Sequence, residues 1–239
     1  MAGSYIVAGA RTPIGKMSGA LASFSAADLG GFAIKAALER AGVKPEEVDH
    51  VIMGHVIMAG QGQVPARQAA AKAGIPMNVP SVVVNKVCLS GLNAIYLADQ
   101  MIQAGEADIV VAGGMESMTN APYLAMGARG GFRYGHTELQ DAIITDGLWC
   151  AFDACLMGKS TEDYTAGGIS REEQDKFAMA SNTRAAAATS SGKLAEEIVP
   201  VAVPQRKGDP KMVTEDEGCL LYTSPSPRDR TRSRMPSSA

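Results

Sequence analysis

Four short apolar runs, the first three each followed by a helix signal and a glycine, constrain this chain more than any other feature. They fall at residues 5–8, 48–57, 82–84 and 109–112. Their cores are apolar at successive positions and do not alternate with polar residues. Strands of that kind are buried on both faces, as in a parallel sheet covered by helices. Between them lie helix signals. Ser25-x-x-Asp28 is a capping box that opens a helix. Leu29, Phe32, Ala33, Ala36 and Ala37 follow on one face, and Gly42 is placed to end it. An Ala-rich helix over 64–73 stops at Gly74, and a third over 89–104 precedes Gly105. The order βαβαβαβ predicts a layered α/β domain over residues 1–114.

From residue 115 the rhythm is lost. Residues 125–135 (AMGARGGFRYG) form a Gly- and Arg-rich loop. A second capping box, Ser170-x-x-Glu173, opens a helix that runs to about Ser190 and stops at Gly192. Residues 197–203 have strand character. Residues 115–218 are therefore expected to form a smaller, looser domain inserted after the fourth strand. Residues 219–239 change abruptly to Ser, Pro and Arg, with four arginines and one aspartate. They are set apart as a non-native tail, a disordered basic arm being the alternative.

The formal charge of −3 argues against a nucleic-acid binder that works by neutralising phosphates. No apolar run reaches the roughly 18–20 residues that span a bilayer. The N-terminus enters an apolar run directly and shows no signal-peptide pattern. Cys88, Cys150, Cys155 and Cys219 form no CxxC pair, so neither a zinc knuckle nor a disulfide framework is expected. A reducing, cytoplasmic compartment is the default.

Two stretches imitate phosphate loops. ARTPIGK at 10–16 nearly matches a P-loop, but Met17 stands where a Ser or Thr hydroxyl must reach Mg²⁺, and Pro13 lacks an N–H. Gly60-Gln-Gly62 lacks the third glycine of a dinucleotide loop. Cys88 is the sharper feature. It sits where a Val-rich strand meets a helix, in Asn85-Lys-Val-Cys88-Leu-Ser90-Gly91. Free N–H groups and the positive end of the helix dipole favour a thiolate there, and Gly91 admits a close approach. The competing reading is a small buried apolar residue. His50 and His55 flank a strand and are expected to be structural, and His136 lies in the Gly-rich loop.

NKVCLSG at 85–91 and GGMESM at 113–118 resemble the thiolases, specifically those of the acetyl-CoA acetyltransferase type. ARTPIGK at 10–16, PARQAA at 65–70, Met157-Gly158 and SREEQDKFA at 170–178 extend the resemblance over 1–218. It implies a layered α-β-α-β-α fold of two similar halves, of which this chain holds the N-terminal half plus the inserted loop domain. It implies Cys88 as an acyl-accepting nucleophile. It also implies that Leu148 and Met157 line the CoA site, although ordinary packing would explain both. The residue before Met157, often His in the family, is Leu156. The family's Gly-His-Pro histidine, its Cys-x-Gly-Gly-Gly base and an oxyanion-site Asn have no counterpart motif here. Where members continue to a CoA-contacting Arg, Glu217-Gly218 runs into Cys219-Leu-Leu, so the natural sequence is expected to stop there.

The resemblance implies an acyltransferase that condenses two acetyl-CoA to acetoacetyl-CoA, or runs the reverse thiolysis, through an acyl-cysteine. No cofactor or metal is expected beyond the CoA thioesters, which are substrates. No nucleic acid or membrane partner is expected, and the full-length protein would be a homo-oligomer, a tetramer or dimer. A thiolase-like piece acting only as a binding module is the alternative, and a ketoacyl-synthase relative fits the Cys88 context less well.

Overall fold

The computed structural model describes residues 3–218. Its centre is a three-stranded parallel sheet of order β2-β1-β3. Strand β1 is His50–Gly54, β2 is Ser81–Val84 and β3 is Val110–Gly114. Ile52 of β1 aligns with Val82 on one side and Ala112 on the other. Three helices cover the sheet: α1 (Ala26–Ala41), α2 (Pro65–Lys72) and α3 (Ser90–Gln103).

Each helix starts and stops where its sequence dictates. Ser25 and Asp28 close the capping box on α1, and Gly42 ends it in a left-handed conformation at φ 66°. Pro65 opens α2, where its missing N–H costs nothing. One sheet face packs Val51 and Met53 against Ile34 and Leu38 of α1 and Ala66, Ala69 and Ala70 of α2. The other face packs Ile52 against Ala94 and Ala98 of α3. Burial of these apolar side chains is the main force holding the layers. Across the α1–α2 contact, Lys72 pairs with Asp28 at 2.6 Å. Burial pushes the Asp28 carboxyl up, but Lys72 and Ser25 outweigh it and hold it below the usual carboxylate range.

Two expectations need correction. Residues 5–8 are not a strand: they pair with no described strand, and Tyr5, Ile6 and Val7 are 75–84% exposed. An apolar run becomes a strand only beside a partner with free N–H and C=O groups. The segment is pinned at its ends, by Ser4 to Asp99 and by Arg40 to the Gly9 carbonyl. The stripe on α1 is also displaced. Its buried residues are Ala26, Ala27, Gly30, Gly31, Ile34, Ala36 and Leu38, of which only Ala36 belongs to the expected stripe. Leu29 and Phe32 serve a second contact, with Leu21, Val201, Val203 and Val213.

Beyond β3 the chain forms small two-stranded units: β4 (Tyr123–Leu124) with β5 (Gln140–Asp141), then β6 (Trp149–Cys150) with β7 (Cys155–Leu156). A π-helical turn, Ile143–Leu148, joins β5 to β6. Helix α4 is Met157–Tyr164 and α5 is Arg171–Ser190, the latter capped by Ser170 and Glu173 and burying no residue. Strand character at 197–203 narrows to β8 (Val201–Val203), which pairs with β9 (Lys211–Val213). Residues 219–239, set apart in the sequence as a tail, lie outside the described residues. Among the described residues no helix is long and apolar enough to cross a membrane.

Candidate active site around Cys88

Cys88 lies in the turn that joins β2 to α3. Leu89 is the N-cap of α3 and Ser90 its first residue, and no side chain caps this end. The turn is tight. Val87 has φ 49°, a left-handed conformation rare for a β-branched residue. Such strain costs on the order of 1–3 kcal/mol and is held by surrounding bonds. Val87 N–H donates to Asn85 Oδ1 at 2.9 Å. The buried Ser90 hydroxyl donates to the Val87 carbonyl at 2.6 Å and accepts from Lys86 N–H at 2.8 Å. Asn85 in turn donates to the Val56 carbonyl at 3.2 Å, tying the turn to the end of β1. The result is an exposed thiol at a helix N-terminus, the placement expected of Cys88.

The glycine that permits this approach is Gly54. A Cβ there would stand 2.5 Å from the Ser90 carbonyl carbon and 2.6 Å from Gly91 N. Gly91 was the expected site of close approach, yet a Cβ on it would meet its neighbours no nearer than 3.6 Å.

Cys88 opens onto a cavity of about 400 Å³, mainly apolar, with walls from three parts of the chain. Gly54–Ile57 form one wall, Gly114, Met115, Glu116 and Met118 a second, and Ile143, Gly147 and Leu148 of the π-helical turn a third. The structure thus brings Leu148 to the Cys88 cavity. It does not bring Met157 there: Met157 opens α4, half exposed, and is not among the cavity's lining residues.

Sequence reasoning passed over a histidine–carboxylate contact in this cavity. His55 is fully buried, and its Nε2 stands 3.0 Å from Glu116 Oε1 with poor N–H alignment. Glu116 also accepts from Val56 N–H at 2.9 Å. Burial pushes the Glu116 carboxyl up. His55 and the backbone N–H groups pull harder, leaving it below the usual value. Glu116 lay within the GGMESM motif, so its position was visible, but its pairing with a residue at the end of another strand was not.

The phosphate-loop imitation is also explained. Arg11 holds Asp216 by two hydrogen bonds, at 2.7 and 2.9 Å, and Glu197 by a third at 2.6 Å. Asp216 accepts from Ile14 N–H at 2.8 Å, and Glu217 from Lys16 N–H at 2.8 Å and Ala20 N–H at 3.0 Å. The loop's N–H groups do bind anions, but the anions are the chain's own carboxylates. His50 is the first residue of β1 and is partly exposed, and His136 is exposed in the loop before β5. Among the described residues no group of three His, Cys, Asp or Glu side chains could hold a metal ion.

A family model described as "Thiolase, N-terminal domain" matches residues 4–224. Probable acetyl-CoA acetyltransferases of Mycobacterium leprae and Mycobacterium tuberculosis are 53% and 54% identical over 225 residues, 94% of this chain and 57% of theirs. The acetyl-CoA acetyltransferase of Cupriavidus necator is 55% identical over 213 residues, 89% of this chain and 54% of its own length. The chain spans little more than half the length of these relatives.

Proposed function

The chain belongs to the thiolase family, and on that premise we propose that it is the nucleophile-bearing part of an acyltransferase acting on CoA thioesters. The observation that carries the reading is an exposed thiol, Cys88, held on a strained turn at a helix N-terminus and opening onto an apolar cavity. The names of its relatives support acetyl-CoA as the substrate.

In the proposed first step the Cys88 thiolate attacks the carbonyl carbon of acetyl-CoA. The Sγ–C bond forms, the C–S bond to CoA breaks, and CoA leaves as a thiolate that takes up the proton Cys88 gave up. The uncapped end of α3 offers partial positive charge to the developing oxyanion. The apolar walls, with Leu148 among them, give the acyl group a mainly apolar seat. In the second step the carbanion of another acetyl-CoA attacks the acyl carbon. A C–C bond forms, the C–Sγ bond breaks, and acetoacetyl-CoA leaves. Thiolysis is the reverse.

The second step needs a base for the α-proton, which the resemblance assigns to a Cys-x-Gly-Gly-Gly cysteine that this sequence does not contain. The 239-residue chain is therefore proposed to accept an acyl group without turning over. The reading needs no bound cofactor, places the protein in the cytoplasm, and makes the longer relative-like protein a homo-oligomer.

Incubation with acetyl-CoA followed by peptide mass mapping tests it. One acetyl group should appear slowly on Cys88 and disappear in Cys88→Ser, with no sustained thiolysis of acetoacetyl-CoA. Absence of acyl transfer, or equal acylation of Cys150 and Cys155, would favour a binding module. Robust multiple turnover by this chain alone would overturn the assignment of the base.

A further inference from the structure

Outside the Cys88 cavity the molecule carries a pair of thiols. Cys150 and Cys155 are free, partly exposed, and directly opposite in the antiparallel β6–β7 register. Directly opposed residues have Cα atoms about 4.5–5.5 Å apart and side chains on the same face. That separation lies inside the roughly 4.4–6.8 Å range of disulfides. The intervening loop, 151–154, is already closed. Ala154 takes the left-handed conformation at φ 50°, and Asp153 N–H donates to Cys150 Sγ at 3.4 Å. The Cys150 thiol donates to Asp153 Oδ2 at 3.4 Å, and Asp153 is held by the Ser160 hydroxyl. A turn about the Cys150 side chain, away from Asp153, would face it to Cys155.

We propose that Cys150 and Cys155 form a reversible disulfide by exchange with a low-molecular-weight disulfide, making the β6–β7 hairpin a redox-sensitive clip. One thiol, as thiolate, attacks a sulfur of the small disulfide. A mixed disulfide forms and one small thiolate leaves. The second protein thiolate attacks the protein sulfur of that mixed disulfide and expels the other small thiolate. Two protein thiols are oxidised to one disulfide, the small disulfide is reduced to two thiols, and the two protons pass to the leaving groups. The hairpin runs from Leu148, on the cavity wall, to Met157 at the start of α4, so the clip fixes the strap that borders the Cys88 cavity. The sequence hid this pair because its four-residue spacing matches no familiar motif. Only the hairpin register sets the two sulfurs face to face.

The test uses oxidised and reduced glutathione at fixed ratios, an acid quench, and tryptic mapping. Cys150 and Cys155 fall together in peptide 134–159, and Cys88 falls in peptide 87–129. Peptide 134–159 should lose two hydrogens and both alkylation sites together, and dithiothreitol should restore them. The native chain should form this disulfide at least tenfold more favourably than the same chain in urea, which separates placement by the fold from mere nearness in sequence. Cys150→Ser and Cys155→Ser should each stop at a mixed disulfide on the remaining thiol. Mixed disulfides that persist on the native wild-type hairpin, a bond from either cysteine to Cys88 or Cys219, or equal equilibria in buffer and urea would overturn the proposal.

Discussion

Two neighbours fix Cys88: Val87, held left-handed by Asn85 and Ser90, and Gly54, which lets the turn lie against the end of β1. A methyl group at position 54 would meet backbone atoms of Ser90 and Gly91, which are not free to swing aside as a flexible side-chain tip would be. Gly54→Ala should therefore cost about 1–3 kcal/mol, the usual range for overpacking. Urea unfolding would measure it, and an unchanged midpoint would show that the turn can move away. The same variant should lower the alkylation rate of Cys88, because the turn is what exposes the thiol. In the wild-type chain under reducing conditions, Cys88 should react with iodoacetamide near neutral pH faster than Cys150 or Cys155. Cys88 is the exposed one of the three, while Cys150 is engaged with Asp153. Equal labelling of all three would mean that the helix end does not activate the thiol.

Among the elements, the 11–20 loop and the 216–217 segment form a clasp whose strength depends on two carboxylates. Asp216 lies below the usual carboxylate range, first because Arg11 bonds it, and Glu217 first because Lys16 N–H does. Lowered folded-state values mean that the clasp contributes fully above the unfolded carboxylate pKa of about 4. The contribution fades as pH falls below that point. The Tm difference between the wild type and Asp216→Asn should thus be constant from about pH 5 upward and shrink below about pH 4. A difference that persists undiminished to the lowest pH would remove the carboxylate from the account. This clasp was invisible in sequence, since it joins segments at opposite ends of the described chain. What was legible was local. Capping boxes at Ser25 and Ser170 and the glycine stop at Gly42 acted as their chemistry requires. Residues 5–8 misled because strand formation depends on a neighbour, and the α1 stripe because that helix has apolar contacts on two sides. At the site, Cys88 was legible from its strand–helix junction. The His55–Glu116 pair was not, because parallel strands with crossovers bring together ends that are far apart in sequence.

At the scale of the whole molecule, the sheet is not closed off. In the order β2-β1-β3 each outer strand pairs on one side only among the described strands. Outer strands with free N–H and C=O groups are templates for further pairing. Tyr5, Ile6 and Val7 add an exposed apolar run with no partner among the described strands. Helix α3 buries Ala94 and Ala98 against the sheet but leaves Leu92 and Tyr96 more than half exposed and Ile95 close behind. A helix with apolar residues on most sides is built to be covered on most sides. In the fold of two similar halves that the thiolase resemblance implies, the second half would supply that cover. The chain spans 57% of the length of its mycobacterial relatives. With this much apolar surface uncovered, association is favoured over a lone chain in water. The 239-residue chain should therefore run as a broad, concentration-dependent or void-volume species on size exclusion and should bind a surface-hydrophobicity dye. Glutamate at Leu92 and Tyr96 together should shift it toward monomer, since both side chains sit on the uncovered face of α3 and not in the core. A sharp monomer peak from the unmodified chain, with no dye bound, would mean that these faces are covered within the chain itself and that α3 needs no partner.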